Sequence, residues 1–117
     1  MFSVGCQRGP SYLLAVVSGP ADVHDACAGA VFIAEMLRRT GIPRVLVDMT
    51  AMDHDFGQGG ALDVISTLYN CLPPLEKIAV LIAPGASHGL VLEVARHRNV
   101  PAQEFASIQD AEQWLQL

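Results

Sequence analysis

YLLAVVSGPADVHDACAGAVFIAEMLRRTGIPRVLVDMT, residues 12–50, is the stretch that decides the fold. It opens with a continuous apolar run, Tyr12–Ser18. No polar alternation interrupts that run, which marks a strand covered on both faces. Gly19-Pro20 is expected to break it. The period then changes: Val23, Ala26/Cys27, Ala30/Val31, Ala34 and Leu37 recur at three and four, an apolar stripe on a helix over 22–40. Asp22 and Asp25 suit the positive start of that helix, and Arg38 and Arg39 its negative end. Gly41 stands where a left-handed cap belongs, and Pro43 prevents continuation. Arg44–Thr50 (RVLVDMT) is a second buried strand. A strand, a helix and a strand with such short connections imply a right-handed crossover between parallel neighbours.

The alternation continues outward from this unit. Met1–Cys6 reads as a weak strand whose turn, Arg8-Gly9-Pro10, is short enough to make it an antiparallel edge. Ala51–Gly60 reads as a polar loop ending in Gly57-Gln58-Gly59-Gly60. Ala61, Val64/Ile65, Leu68 and Cys71/Leu72 mark a second helix, stopped by Pro73-Pro74. Lys77–Ala83 is a third buried strand, and Leu90/Val91, Val94/Ala95 and Arg98 mark a third helix. Pro101–Ala106 is a short last strand. Ser107 with Asp110 opens a final helix carrying Trp114 and Leu115. The fold class is α/β: a mixed, mostly parallel sheet of about five strands with about four helices, in a single domain over 1–117.

Composition narrows the function classes. The 117 residues are 51% hydrophobic and 16% charged, with a formal net charge of −5. A domain of this size buries about two-thirds of its unfolded surface, so it needs neither metal nor disulfide to hold a core. Disorder is excluded. A single lysine, Lys77, and the acidic balance exclude a broad nucleic-acid footprint. The longest apolar runs are of strand length, far below the ~18 residues of a membrane span. Met1–Pro10 lacks the basic segment, apolar run and cleavage site of a secretory leader. Cys6, Cys27 and Cys71 are odd in number with no C-x-x-C pair, which reads as reduced, packed thiols in a cytoplasmic protein.

Ligands of such sheets sit at the carboxyl ends of the parallel strands. Three segments qualify, Ser18–Asp25, Asp48–Gly60 and Ala83–Gly89, and they hold or adjoin His24, His54, His88, Asp22, Asp25, Asp53, Asp55 and Ser87. Imidazole and carboxylate suit zinc, iron or manganese. No H-x-x-x-H or H-E-x-x-H spacing is present, however, and polar loops attract the same residues without a metal. Gly85-Ala86-Ser87-His88-Gly89 spells the G-x-S-x-G elbow of serine hydrolases, after a strand and before a helix as that elbow requires. So short a chain leaves little room for a substrate-binding cap, and helix capping is the reading we favour for Ser87. The glycines at 57, 59 and 60 precede a helix as an anion site would. Asp53, Asp55 and Asp63 flank them, and the Walker lysine is missing. Trp114 is expected to seal the core, and Arg96, His97 and Arg98 to complement the end of their own helix.

Arg44-Val45-Leu46-Val47-Asp48 with the loop and Gly60-opened helix behind it, Lys77-Ile78-Ala79-Val80-Leu81, and the ending Glu104–Leu115 together resemble the STAS superfamily of sulphate transporters and anti-sigma-factor antagonists. The likeness is to its bacterial sporulation-antagonist-like members, which share features with the Sec14 fold, and it covers nearly the whole chain. It implies a non-catalytic regulatory module, without a cofactor, that binds a protein partner or a second copy of itself through the 48–60 loop and the following helix. Regulatory members carry a phosphorylated Ser or Thr at the start of that helix. Here Met52–Gly60 holds no hydroxyl side chain; Thr50 precedes it and Ser66 follows.

The expected binding residues are Asp53, His54, Asp55, Phe56, Gly57, Gly59 and Gly60, with Ser87 and His88 in the neighbouring loop. Phe56 is the candidate anchor, and Leu62, Tyr69, Phe32 and Met36 are apolar residues beyond the core stripes. Two rival readings stand beside this one. The Sec14-like likeness implies a carrier or sensor of a small apolar ligand, and Ser87, His88 and His54 suggest a small hydrolase or metal-dependent enzyme.

Overall fold

Apolar strands alternating with amphipathic helices assemble, in a computed structural model, as β1 (Ser3–Arg8), β2 (Leu13–Ala21), α1 (Val23–Thr40), β3 (Arg44–His54), α2 (Gly57–Cys71), β4 (Lys77–Leu81), α3 (Leu90–His97), β5 (Ala102–Phe105) and α4 (Ile108–Gln116). The structure describes residues 1–54, 57–83 and 90–117. Strand order is β1-β2-β3-β4-β5. β1 runs antiparallel to β2, and every other pair is parallel, as the α/β expectation requires.

Both faces of the central strands are covered, which is why their sequences are apolar without alternation. Leu13, Ala15 and Val17 of β2, Val45, Val47 and Met49 of β3, and Ile78 and Val80 of β4 form the larger core with Ile33 and Leu37 of α1 and Ala95 of α3. On the opposite face Leu46, Ala79 and Leu81 meet Ala111 and Leu115 of α4. Phe105 and Trp114 seal that side, their ring centroids 5.6 Å apart. Three helices therefore lie on one face and α4 alone on the other.

The helix ends follow their local chemistry. Asp22 caps α1, accepting from the Asp25 amide at 2.8 Å while Asp25 accepts from the Asp22 amide at 3.3 Å. This reciprocal box satisfies two orphan donors. Gly41 closes α1 at φ 70°. Ser107 caps α4 through the Asp110 amide. The buried stripe of α1 is Gly29, Ala30, Ile33, Ala34 and Leu37. Val31, expected in it, is 48% exposed; Ile33 takes the inward position.

Two expected breaks are absent. Gly19-Pro20 does not end β2, which continues to Ala21 with Gly19 opposite Met52 and Pro20 opposite Asp53. β1 pairs with β2 only as far as Ser3↔Ser18, so beyond that point β2 is an edge and tolerates the missing proline N–H. Gly19 carries φ 88°, and a Cβ there would strike the carbonyl oxygen of Met1. The expected loop over 51–60 is likewise mostly regular structure: β3 reaches His54 and α2 begins at Gly57. In compensation β4 is shorter than expected, ending at Leu81 rather than Ala83.

β3 holds a bulge. From Val16 to Ser18 β2 advances two residues while β3 advances three, from Asp48 to Ala51. Asp48 Oδ1 accepts from the Thr50 amide at 3.0 Å and from Thr50 Oγ1 at 2.7 Å, tying the extra residue locally. The inward series consequently steps from Val45, Val47 and Met49 to Met52 instead of residue 51.

The backbone of α2 lies close to α1 and α3 and hardly approaches the strands. Between α1, α2 and the sheet is a cavity of about 80 Å³.

Gly19→Ala is expected to lower unfolding free energy by about 1–2 kcal/mol, from the left-handed φ plus the clash with Met1. Gly5→Ala, whose added Cβ meets nothing within 4 Å, should stay within about 0.5 kcal/mol. Urea midpoints of the two variants measure the difference.

Tyr12 donates to Glu112 Oε1 at 2.7 Å, fastening the start of β2 to α4. That hydrogen bond, with burial and the carboxylate charge, pushes the phenol from 10.0 up to about 12. The folded value lies above the unfolded one, so this contribution is complete below about pH 10 and is lost as pH rises through about 12. Alkaline unfolding should show a component across that window that disappears in Tyr12→Phe.

Candidate functional site

The parallel strands end at different heights, and this places the candidate residues. Leu81, the last residue of β4, pairs with Asp48, whereas β3 runs on to His54. β2 and β3 thus project together beyond β4, with Pro20 beside Asp53 and Ala21 beside His54. The connection from β2 to α1 is the single residue Asp22, so the expected loop over 18–25 is strand, cap and helix. Asp22, His24 and Asp53 are exposed at this end of the sheet, and Asp63 is exposed on α2.

Gly57, Gly59 and Gly60 belong to the first turn of α2 and not to a loop before it. Glycine in a helix costs roughly 0.5–1 kcal/mol relative to alanine, so tertiary contacts must hold α2. Those contacts are concentrated at its other end. Arg38 of α1 donates to the Cys71 carbonyl at 2.6 Å. Arg98, just past α3, donates to the carbonyls of Tyr69 at 3.0 Å and Leu72 at 2.6 Å. Sequence reasoning assigned Arg98 to the end of its own helix; it serves the end of α2 instead. Arg96 and His97 pair with Glu93 and, with Arg96 the larger influence, hold its carboxyl below the usual range.

The same device recurs at the other helix ends. Arg44 donates to the Leu115 carbonyl and Lys77 to that of Trp114 at 2.9 Å, with the ammonium 5.0 Å from the indole centroid. Arg8 of β1 reaches the Thr40 carbonyl at the end of α1 at 3.3 Å. Arg39 pairs with Glu35, whose carboxyl is lowered by Arg38 first and Arg39 second. Arg8, Arg38, Arg44, Lys77 and Arg98 thus bond helix-end carbonyls, and Arg39 and Arg96 pair with glutamates of their own helices. Among the described residues none of them pairs with Asp22, Asp25, Asp53 or Asp63.

Four exposed apolar side chains, Val31, Phe32, Leu62 and Tyr69, lie on the two long helices, and Met1, Val16, Ile108 and Leu117 are exposed elsewhere. Leu62 is 66% and Tyr69 49% exposed, seven residues apart and so on one face of α2. Phe32 on α1 is 41% exposed. Met36, expected with them, packs against the core.

Asp55 and Phe56, and Ser87 and His88 with the rest of the G-x-S-x-G letters, lie outside the described residues. His54 ends β3 opposite Ala21. Among the described residues no three His, Cys, Asp or Glu side chains come together as metal ligands, and no helix is long and apolar enough to cross a membrane. Cys6, Cys27 and Cys71 are free thiols, each half-buried. Burial raises the Cys71 thiol against the opposing pull of Arg38 and Arg98, leaving it unlike an activated thiolate. Thr50 is committed to Asp48, and Ser66 is exposed within α2.

A mixed sheet of this order, with three helices on one face and one on the other, is the STAS fold of anti-sigma-factor antagonists. The chain is similar to an anti-sigma factor antagonist from Mycobacterium paratuberculosis, at 14% identity over 100% of this chain and 96% of the other, with a TM-score of 0.66. It is also similar to a DUF3478-family protein with a SpoIIAA-like fold from Shewanella loihica, at 19% identity over 97% and 93%, TM-score 0.59. A third likeness is to the anti-sigma factor antagonist SpoIIAA in its unphosphorylated form, at 10% identity over 99% and 98%, TM-score 0.54. No family model and no curated protein matches the chain.

Removing the guanidinium in Arg98→Met should cost about 1–2 kcal/mol, because two charge-assisted bonds to carbonyls are lost at a partly solvated site. Amide exchange over residues 64–72 should quicken while that of α4 stays unchanged.

Proposed function

We propose that this protein is a non-catalytic, cytoplasmic regulatory module that binds another protein through α2 and the projecting ends of β2 and β3. The observation that carries the reading is the exposed pair Leu62 and Tyr69 on a helix whose carbonyl end is held by Arg38 and Arg98, the latter 6.0 Å from the Tyr69 ring centroid. A rigid helix face with large apolar side chains gives a partner an anchor at little ordering cost. Asp53, Asp63 and Asp22 add negative charge around it that no Lys or Arg among the described residues neutralises. The fitting partner surface is apolar with a basic rim.

A second copy fits less well. A homodimer across this face brings equal acidic groups together, and like charges oppose it. The solved anti-sigma factor antagonists of the same fold support a regulatory partner in kind. We assign Asp53, His54, Gly57, Gly59 and Gly60 to this surface, a reading their positions on β3 and α2 support, and Asp55, Phe56, Ser87 and His88 to it by sequence alone. The half-buried thiols suit a reducing compartment.

Leu62→Asp and Tyr69→Asp should each weaken association with the partner by at least about tenfold, as loss of an anchor does, and Leu62→Asp, at a site 66% exposed, should do so without lowering the melting temperature. Affinity should also fall as salt rises. Proteins retained on immobilised wild-type chain and on each variant, compared by quantitative mass spectrometry, test this. Equal retention by both would remove α2 from the interface.

A further inference from the structure

We propose that the cavity beneath α1 and α2 is a binding site for a small uncharged apolar molecule, in the size class of a short hydrocarbon. Among the described residues every side chain lining it is apolar, including Phe2, Ile33, Val47, Met49, Met52 and Leu68. A buried water needs two to four polar partners, and these side chains offer none, so they hold water poorly. An engineered apolar cavity of about 150 Å³ stays dry and takes up benzene or xenon. This one, at about 80 Å³, selects for smaller molecules of the same kind.

The sequence explains both the space and its shape. The inner face of α1 carries Ala26, Gly29 and Ala30 in succession, so no large side chain fills the gap under its first turns. The bulge at Asp48–Thr50 turns Met52 inward to join Met49. Two thioether side chains give the wall a shape that adapts to an occupant.

Ile33, Val47 and Met49 are buried, whereas Phe2, Ala26 and Met52 are half-buried. Those three lie toward the carboxyl ends of β2 and β3, where α/β sheets hold their ligands; Leu72 and Leu75, also half-buried, line the cavity toward the amino ends. This inference does not rest on the protein-interaction reading.

The test uses xenon and cyclopropane as probes on the full chain, followed by methyl NMR and thermal unfolding. Saturable shifts are expected at Ile33, Val47, Met49 and Met52, with a higher melting temperature in cyclopropane-saturated buffer. Ala30→Val and Val47→Ile, which each add carbon to the lining, should weaken both effects at least about threefold. Two variants on different elements keep the test open should one fail to fold. Absence of saturable shifts, or shifts unchanged in both variants, would overturn the proposal.

Discussion

The carbonyl end of α2 is the point on which the helical layer depends. α2 has no basic residue in its last turn and no acidic one in its first, so it lacks the end charges that usually offset a helix dipole. Three glycines weaken its opening turn, and a cavity separates it from the strands. Arg38 and Arg98 compensate from two different elements, each bonding carbonyls that would otherwise be unsatisfied. The helix is thereby fixed relative to α1 and α3 at one end, and its outer face is presented as a fixed surface.

The few cations of the chain follow the same logic throughout. Helix carbonyl ends in a parallel α/β fold gather at the amino ends of the strands, and Arg8, Arg38, Arg44, Lys77 and Arg98 all bond carbonyls there. Helix amino ends gather at the opposite edge, where Asp22 and Asp25 cap and Asp53 is exposed. A net charge of −5 is therefore distributed unevenly. Structural use of the cations at one end leaves the other acidic, and that acidic end carries the proposed partner surface. The electrostatics of folding and of recognition share one cause.

What the sequence revealed and what it hid divide along physical lines. Continuous apolar runs at Tyr12–Ser18, Arg44–Thr50 and Lys77–Ala83 announced buried parallel strands, being of strand length and bounded by turn residues. Gly41 and Ser107 announced helix ends through cap chemistry that depends only on neighbours, and Asp22 through its charge at the positive helix start. The errors came where distant contacts overrode local preference. Gly19-Pro20 reads as a break, yet β2 is unpaired on one side there and passes through. Met52-Asp53-His54 reads as loop because the bulge at Asp48 disrupts the alternation by one residue. Gly57–Gly60 reads as flexible because the arginines that hold α2 lie 19 and 38 residues away from those glycines in the chain at the nearest. Leu62, Tyr69 and Phe32 were readable as surplus apolar residues. The cavity was not, since it exists only where small residues of α1 face methionines brought in by the bulge.

The account rests on α2 and the ends of β2 and β3 forming the face that meets a partner. Hydrogen–deuterium exchange of the purified assembly against the free chain measures that face directly. The account predicts slowed exchange over residues 53–71 and at the start of α1, with β5 and α4 unchanged. Protection confined to α4 and β5, with residues 53–71 exchanging as in the free protein, would contradict it.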